Sequence, residues 1–232
     1  MLNHMDYKAW ADRATHFLNE MEKLPGKLSL TVEVAPPLTI SELAAIRSRW
    51  QRHLPGELIR FWTEASSHYF GYYNWTPRSN ERRQLKQVFP YNDFIYGDPQ
   101  FLAASEVDPI PMDASVFGRD LMPNEQADAE RSMALWSRSV IFFRILNGDC
   151  LGLDADAPGC DPDDPPVVYL CHDTPSSGQI SPSFTDFLTE WEKLSYIGPE
   201  WWLLDSWLDA GTKRISASNH LTSELRQLLS PR

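Results

Sequence analysis

The stretch "SVIFFRILNGDCLGLDADAPGCDPDDPPVVYLCHD", residues 139–173, predicts three β-strands. "VIFFRIL" and "DCLGLD" are apolar runs of strand length, and the Asn-Gly-Asp sequence between them is a strong signal for a tight hairpin turn. "PPVVYLCHD" supplies the third strand, after a loop rich in aspartate and proline. Because strands joined by hairpin turns pair antiparallel, this stretch predicts an antiparallel sheet.

The predicted pairing of the second and third strands also sets which side chains share a face. We expect one face to carry four apolar side chains. The register that does so places Leu151 opposite Leu170, Leu153 opposite Val168, and Cys150 opposite Cys171. Two facing thiols would be compatible with a disulfide bond or a zinc site.

Metal-binding patterns in this stretch are incomplete. Structural zinc sites use four ligands, whereas Cys150, Cys171 and His172 offer three, and adjacent strand residues point to opposite faces. An EF-hand loop starting at Asp154 would need its final glutamate where Pro165 stands. We therefore expect no metal and no cofactor, and we expect the cysteines to be inert core residues.

Elements on both sides of this stretch complete the fold prediction. Helical spacing predicts a helix over residues 4–24, and alternation predicts a strand within residues 27–37. The aromatic "HYFGYYNW" predicts another strand. Helices lead in, strands gather in the middle and helices close the chain. This order predicts an α+β fold with a mostly antiparallel central sheet flanked by helices.

Local signals mark where several helices begin. Thr39 or Ser41 is expected to cap one helix, and Pro55 to begin the next. A later helix opens at Pro182 and Ser183, and its apolar stripe consists of Phe184, Phe187, Leu188 and Trp191. In "GPEWWLLDSWL" we expect Trp201 and Trp202 to pack onto the sheet, although with Glu200 they could instead line a sugar site.

The net charge of −11 is concentrated in one segment, because residues 145–192 contain ten acidic residues and no Lys or Arg. Such a surface repels nucleic acid and attracts a basic partner. The one basic stretch has no nucleic-acid reading motif and is expected to be a solvated face; it consists of Arg78, Arg82, Arg83 and Lys86. We expect no nucleic-acid ligand.

Location and redox state follow from what the sequence lacks. The N-terminus has no signal-peptide pattern, and no run of 18 apolar residues is long enough to span a membrane. The three cysteines are an odd number, which argues against a disulfide framework. We expect a cytoplasmic protein with reduced thiols and no membrane association.

The order of these elements resembles the SUKH superfamily. "LPGELIRFWTEAS" looks like its leucine–proline helix start, and "VIFFRILNGDCLGLDADAPG…PPVVYLCHD" followed by "ISPSFTDFLTEW" resembles its hairpin, next strand and helix. That superfamily includes a fungal regulator of cell-wall synthesis and bacterial immunity proteins that neutralise polymorphic toxins. The resemblance implies a protein-binding domain without chemistry of its own.

This resemblance sets the expected organisation and function. We expect a single domain over residues 1–232, with a helix–strand extension in 1–38, a SUKH-like core in 40–195 and C-terminal helices in 196–232. The expected function is neutralisation of a toxin by steric and electrostatic occlusion, and the expected partner is a basic nuclease-type toxin domain. The alternative is a metal-binding protein or hydrolase that uses the acidic 154–173 loop, although no Gly-x-Ser-x-Gly or Walker motif is present.

The candidate partner-binding residues come from two places. Aspartates of the acidic stretch form one set, which prolines should hold in a restricted conformation: Asp154, Asp156, Asp161, Asp163, Asp164 and Asp173. Aromatic anchors from the "HYFGYYNW" strand form the other, namely Tyr72 and Trp75. No catalytic residue is predicted.

Overall fold

The computed structural model describes residues 5–50, 53–107 and 123–230, which form an α+β fold. The helices in these ranges are α1 (Tyr7–Met21), α2 (Ile40–Arg49), α3 (Gly56–Glu64), α4 (Ser79–Val88), α5 (Pro123–Arg138), α6 (Phe184–Lys193), α7 (Trp201–Leu204) and α8 (Leu221–Leu228). The strands are β1 (Gly26–Val34), β2 (Tyr69–Pro77), β3 (Ile95–Gly97), β4 (Gln100–Phe101), β5 (Val140–Arg144), β6 (Cys150–Leu153), β7 (Val167–Leu170) and β8 (Gly178–Ser181). The predicted fold class is confirmed, but the strands are divided between two antiparallel sheets.

The first sheet is built around β2. β1 pairs with β2 from Gly26 opposite Pro77 to Val34 opposite Tyr69, and β3 and β4 also pair with β2. Burial alternates along β2, as expected for a strand with one face on the core. β3 and β4 are three and two residues long. Neither was predicted, because so short a strand leaves no periodic pattern in the sequence.

The second sheet has the order β5-β6-β7-β8 and contains the predicted hairpin. The predicted register of β6 and β7 is wrong by one residue, because Leu151 lies opposite Tyr169 and Cys150 opposite Leu170. Cys171 is therefore not the partner of Cys150. A shift of one residue moves side chains to the other face of a strand.

Both faces of this second sheet are covered. One face contributes Leu151, Leu153, Val167 and Tyr169 to the main core. The other face forms a smaller apolar cluster with α5, made of Ala129, Trp136, Ile141, Cys150, Val168 and Leu170. The burial of all four residues in each of β6 and β7 follows from this double cover.

One face of the N-terminal helix α1 packs into the main core. The Trp10 ring centroid is within 6.0 Å of four other aromatic ring centroids, those of Phe61, Tyr69, Phe101 and Tyr196. Tyr7 and Leu18 of the same helix are also fully buried. Each such side chain contributes about 1.5–3 kcal/mol through burial, so α1 is a major contributor to stability.

The predicted helix starts agree with the observed ones. Thr39 caps α2, and its side chain and that of Glu42 form a reciprocal capping box. Ser183 caps α6 by accepting a hydrogen bond from the Asp186 amide. The predicted apolar stripe of α6 is fully buried, with Phe184, Phe187, Leu188 and Trp191 each at 0% exposure.

Gly97 allows β3 to approach its neighbours closely. It lies opposite Tyr73 in the first sheet and forms an isolated bridge with Gly198. A Cβ atom at this position would lie closer than 3.0 Å to the Tyr73 ring and to the Tyr196 carbonyl oxygen. The backbone therefore has no space for a side chain here.

Candidate protein-binding surface

The acidic loop, residues 154–166, connects β6 to β7 and is ordered by its own backbone. The Asp154 amide donates to the Pro166 carbonyl at 3.0 Å, which closes the loop at its base. The Ala157 amide donates to the Asp154 carbonyl, and the Cys160 amide to the Ala157 carbonyl. These turns order the first half of the loop.

Two adjacent aspartates attach the second half of the loop to helices. The Asp163 carbonyl accepts from the Glu57 amide at the start of α3, at 2.8 Å. The Asp164 carboxylate accepts from the Thr185 amide at 3.0 Å and from its hydroxyl at 2.5 Å, in the first turn of α6. Burial raises the pKa of Asp164 above its ordinary value, against these hydrogen bonds. Asp164 therefore holds the loop in place.

Asp154 is buried and cannot contact a partner on the folded protein, contrary to expectation. Its side chain is 3% exposed, and both carboxylate oxygens accept hydrogen bonds from the Arg138 guanidinium, at 2.8 and 2.6 Å. Arg138 is the last residue of α5. The pair therefore connects that helix to the base of the acidic loop.

The exposed acids of the loop are Asp156, Asp161 and Asp163. The Asp161 carboxylate accepts a hydrogen bond from the Asp163 amide at 3.0 Å, and Asp163 Oδ1 lies 3.2 Å from His53 Nε2. These carboxylates are on a backbone that is bonded at its base and to two helices. The loop therefore presents negative charge to solvent in one fixed arrangement.

A groove of about 570 Å³ lies beside the loop. Its walls come from α2, α3, the acidic loop and α6, and it is lined by Met5, Arg47, Gly56, Glu57, Ile59, Arg60, Asp161, Asp163, Asp164 and Thr185. Four acids and two arginines line it, so the groove is net negative. This gives the loop surface a concave border.

Asp173 lies at the opposite end of the β6–β7 hairpin from the acidic loop, next to Asp149 and Cys171. One ligand atom from each of these three residues lies within 4.8 Å of the others. Asp149, however, already accepts four hydrogen bonds, from the Tyr169 hydroxyl, the Asn147 amide, the His172 amide and His172 Nδ1. A metal ion would have to displace donors from that carboxylate, so this geometry gives little support to the metal alternative.

The hydrogen bonds to Asp149 outweigh its desolvation. Burial by itself raises the pKa of Asp149, but the hydrogen bonds from Tyr169, His172 and Asn147 bring that pKa below its ordinary value. His172 is thereby held at the end of β7. Its contacts fix the backbone that follows β7 and stabilise the buried carboxylate of Asp149.

A comparison with protein families identifies the family of this chain. The SMI1/KNR4 family (SUKH-1) matches residues 37–190. The chain belongs to the SMI1/KNR4 family. Searches of curated proteins and of solved structures gave no significant match.

In this SMI1/KNR4 protein the matched region runs from just before α2 to α6, and it includes both sheets except β1. The acidic loop, the groove-lining residues of α2 and α3, and Asp149 all lie inside it. The family includes toxin immunity proteins, and its domains are generally non-catalytic. Across residues 5–50, 53–107 and 123–230, no helix combines the length and apolar character that crossing a membrane requires.

The two predicted aromatic anchors of this SMI1/KNR4 protein have different environments. Trp75 is fully buried, and its indole N–H donates to the Pro25 carbonyl at 3.3 Å, so it is a core residue and not an anchor. Tyr72 is half-buried on the opposite face of β2. Successive side chains of a strand point to opposite faces, so two residues three positions apart lie on opposite faces of β2.

Two residues that we expected in the core of this SMI1/KNR4 protein are exposed instead. Trp201 and Trp202 are 38% and 43% exposed, whereas Leu203, Leu204 and Trp207 are buried. α7 is a single turn, so only part of its circumference can contact the sheets. Helical spacing could not reveal this exposure, because it does not show that α7 ends after one turn.

Proposed function

We propose that this protein is an immunity protein that neutralises a toxin domain by binding it and covering its working surface. The observation that carries the proposal is the acidic loop, whose exposed carboxylates stand on a backbone tied to α3 and α6. Because the loop is already ordered, binding loses little conformational entropy. Membership of a family with toxin immunity proteins supports the same function.

The charge of the loop favours a basic partner, such as a nuclease-type toxin domain. Asp156, Asp161 and Asp163 are exposed, and the adjoining groove is net negative. Complementary charge raises association rates and discriminates against other acidic proteins. Nuclease toxins act where nucleic acid is found, so the proposal includes a cytoplasmic location.

Occlusion needs no catalytic residue in this protein. A standard protein–protein interface buries about 1,600 Å² in total. The acidic loop together with the rim of the groove offers a continuous surface from which one side of such an interface can be built. Neutralisation would then depend on affinity and coverage.

Co-expression tests the proposal directly. The gene product encoded beside this protein is expressed in a sensitive host, with and without the protein, and growth is measured. We expect rescue by the wild type. The double variant Asp156→Asn/Asp161→Asn should bind the purified toxin at least tenfold more weakly in 50 mM salt, with a smaller difference at 500 mM.

A charge-matched control separates local contact from net charge. Glu22→Gln/Glu33→Gln removes the same charge from exposed positions outside the acidic loop and should leave affinity within twofold of wild type. Equal weakening by both double variants would show that only net charge matters. Failure to bind any neighbouring gene product at micromolar concentration would contradict the proposed function.

A further inference from the structure

Aromatic side chains around α7 and β3 form a second exposed surface, here called the tryptophan patch. It comprises Phe94, Tyr96, Trp201 and Trp202. Phe94 is 39% exposed, and the two tryptophans are exposed to a similar degree. Large aromatic rings gathered at a protein surface are typical of binding sites, and Trp and Tyr are the commonest energetic anchors.

Contacts among the rings fix the patch in one arrangement. The Tyr96 and Trp202 ring centroids are 5.7 Å apart, and those of Phe94 and Tyr96 are 6.4 Å apart. Trp201 packs against Tyr169 at 5.3 Å. The Gly198 amide donates to the Tyr96 carbonyl at 3.1 Å, which ties the segment before α7 to β3. A patch ordered in advance binds with little further loss of side-chain freedom.

Two carboxylates accompany the rings. Glu200 accepts a hydrogen bond from the Trp202 indole. Asp98 follows β3 and is 6% exposed; one of its oxygens accepts from Gln100 at 3.2 Å, and the other has no hydrogen-bond partner among the residues that the structure describes. Within residues 5–50, 53–107 and 123–230, no Lys, Arg or His forms an ion pair with either acid.

The two carboxylates are close enough to affect each other. Burial, and after it the negative charge of Glu200, raises the pKa of Asp98 to about 7. Burial, and after it the interaction with Glu200, raises the pKa of the Tyr96 phenol, and the charge of Asp98 adds to this effect. A cation held by Glu200 would relieve the repulsion between the carboxylates. The unpartnered oxygen of Asp98 is itself buried, so Asp98 would act on that cation through its charge and not through a direct contact.

We propose that the tryptophan patch binds a basic side chain, preferably arginine, that the partner protein presents. The inference rests on the proposed function in one respect, namely that the ligand belongs to a protein. A guanidinium group stacks on tryptophan faces and donates paired N–H bonds to a carboxylate, here that of the half-buried Glu200, so it matches both parts of the patch. An ammonium group lacks the planar geometry and should bind less well.

Charge complementarity favours this occupant over two others. A neutral sugar could stack on Trp201 and Trp202, but it would leave the charges of Asp98 and Glu200 without a counter-charge. A second copy of the chain in a symmetric contact would bring the same acidic patch against itself, which costs energy. Only a cationic ligand uses the rings and the two acids together.

Titration of the full-length protein with defined peptides tests the inference. The probe is acetyl-Gly-Arg-Gly-Arg-Gly-amide, and its control has citrulline, a neutral isostere, at both arginine positions. Binding is followed through the indole N–H signals of Trp201 and Trp202 in ¹H–¹⁵N NMR spectra. We expect the citrulline peptide to bind at least fivefold more weakly.

Variants locate the interaction. Glu200→Gln and Trp202→Ala should each lower the affinity for the arginine peptide at least fivefold. Asp156→Asn in the acidic loop should change that affinity less than twofold. Both patch positions are outside the buried core, and an unchanged unfolding midpoint confirms that each variant is folded. Equal affinity for the arginine and citrulline peptides would overturn the inference, as would unchanged binding by Glu200→Gln.

Other outcomes reassign the patch or separate it from the proposed function. Binding of a neutral oligosaccharide that Trp202→Ala abolishes, or self-association that it abolishes, would overturn the arginine assignment. If Glu200→Gln and Trp202→Ala bind the neutralised toxin as tightly as wild type, the proposed function stands and the inference fails. If no toxin is neutralised but the peptide pattern holds, the patch assignment stands and the proposed function fails.

Discussion

Arg138 and Asp154 form a two-pronged ion pair in which only the arginine reaches solvent. Their side chains are 36% and 3% exposed, and both contacts are under 3 Å. A buried carboxylate is tolerated because its partner neutralises it. Asp154, which we expected to contact a partner, therefore has a structural role.

Removing Arg138 should therefore destabilise the protein. We expect Arg138→Gln to lower the free energy of unfolding by about 2–4 kcal/mol, since Asp154 would remain buried without its counter-charge. Urea denaturation measures the change. Arg131→Gln on the same helix breaks a solvent-exposed pair with Asp128 and should cost less than about 1 kcal/mol. Equal effects of the two substitutions would contradict the structural role of Asp154.

Asp98 should make stability depend on pH in an unusual direction. Its pKa is raised to about 7 in the folded protein, compared with about 3.9 in an unfolded chain. The folded state therefore holds this proton more tightly, and its contribution to stability is complete below about pH 4 and declines as pH rises to about 7.

The substitution Asp98→Asn removes the titrating carboxyl group and with it this loss of stability at higher pH. At pH 8 the variant should be more stable than wild type by about 2–4 kcal/mol, and at pH 4 the two should differ by less than about 1 kcal/mol. Chemical denaturation at both pH values checks this. A variant that is less stable than wild type at pH 8 would show that Asp98 is ionised and favourably paired in the folded protein.

Gly97 should not tolerate a side chain. A Cβ at this position would overlap the Tyr73 ring and the Tyr196 carbonyl, so Gly97→Ala should destabilise by about 3 kcal/mol or more. Gly178→Ala is the matched control, because no atom lies within 4 Å of its Cβ position. Thermal unfolding of the two variants measures the difference. Equal shifts of the two unfolding midpoints would contradict the close approach of the backbone at Gly97.

The cysteines should differ in reactivity. Burial raises the pKa of Cys150 to about 12, and the residue is 3% exposed, whereas Cys160 and, contrary to expectation, Cys171 are half-buried. A thiol reagent at pH 8 should modify Cys160 and Cys171 in the native protein and Cys150 only after unfolding. Mass spectrometry of digests identifies the modified sites. Early modification of Cys150, or a disulfide between Cys150 and Cys171, would contradict the observed register.

The sequence was sufficient for the elements of this fold but not for the pairing of β6 and β7. Periodicity located the longer strands and most helices. Thr39 and Ser183 marked helix starts because a capping side chain acts through local contacts. The register failed since both faces of β6 are covered, so alternation no longer distinguishes them. Leu151 opposite Leu170 and Leu151 opposite Tyr169 both bury apolar pairs, and only the tertiary packing selects the second.

Individual site residues were less predictable for a related reason. Asp154 and Asp156 look alike in sequence, but one faces Arg138 and the other faces solvent. Whether an aspartate is a surface charge or a buried ligand depends on a residue of another element. Trp202 was misplaced because helical spacing does not reveal that α7 ends after one turn.

The position of Trp10 in the main core has a consequence for how the protein can be divided. The family match begins at residue 37, yet the rings of Phe61, Tyr69 and Phe101 inside it pack against a tryptophan that precedes it. A fragment cut at the family boundary would expose that aromatic surface to water. We expect such a fragment to aggregate, so expression vectors and domain-swap chimeras should retain α1.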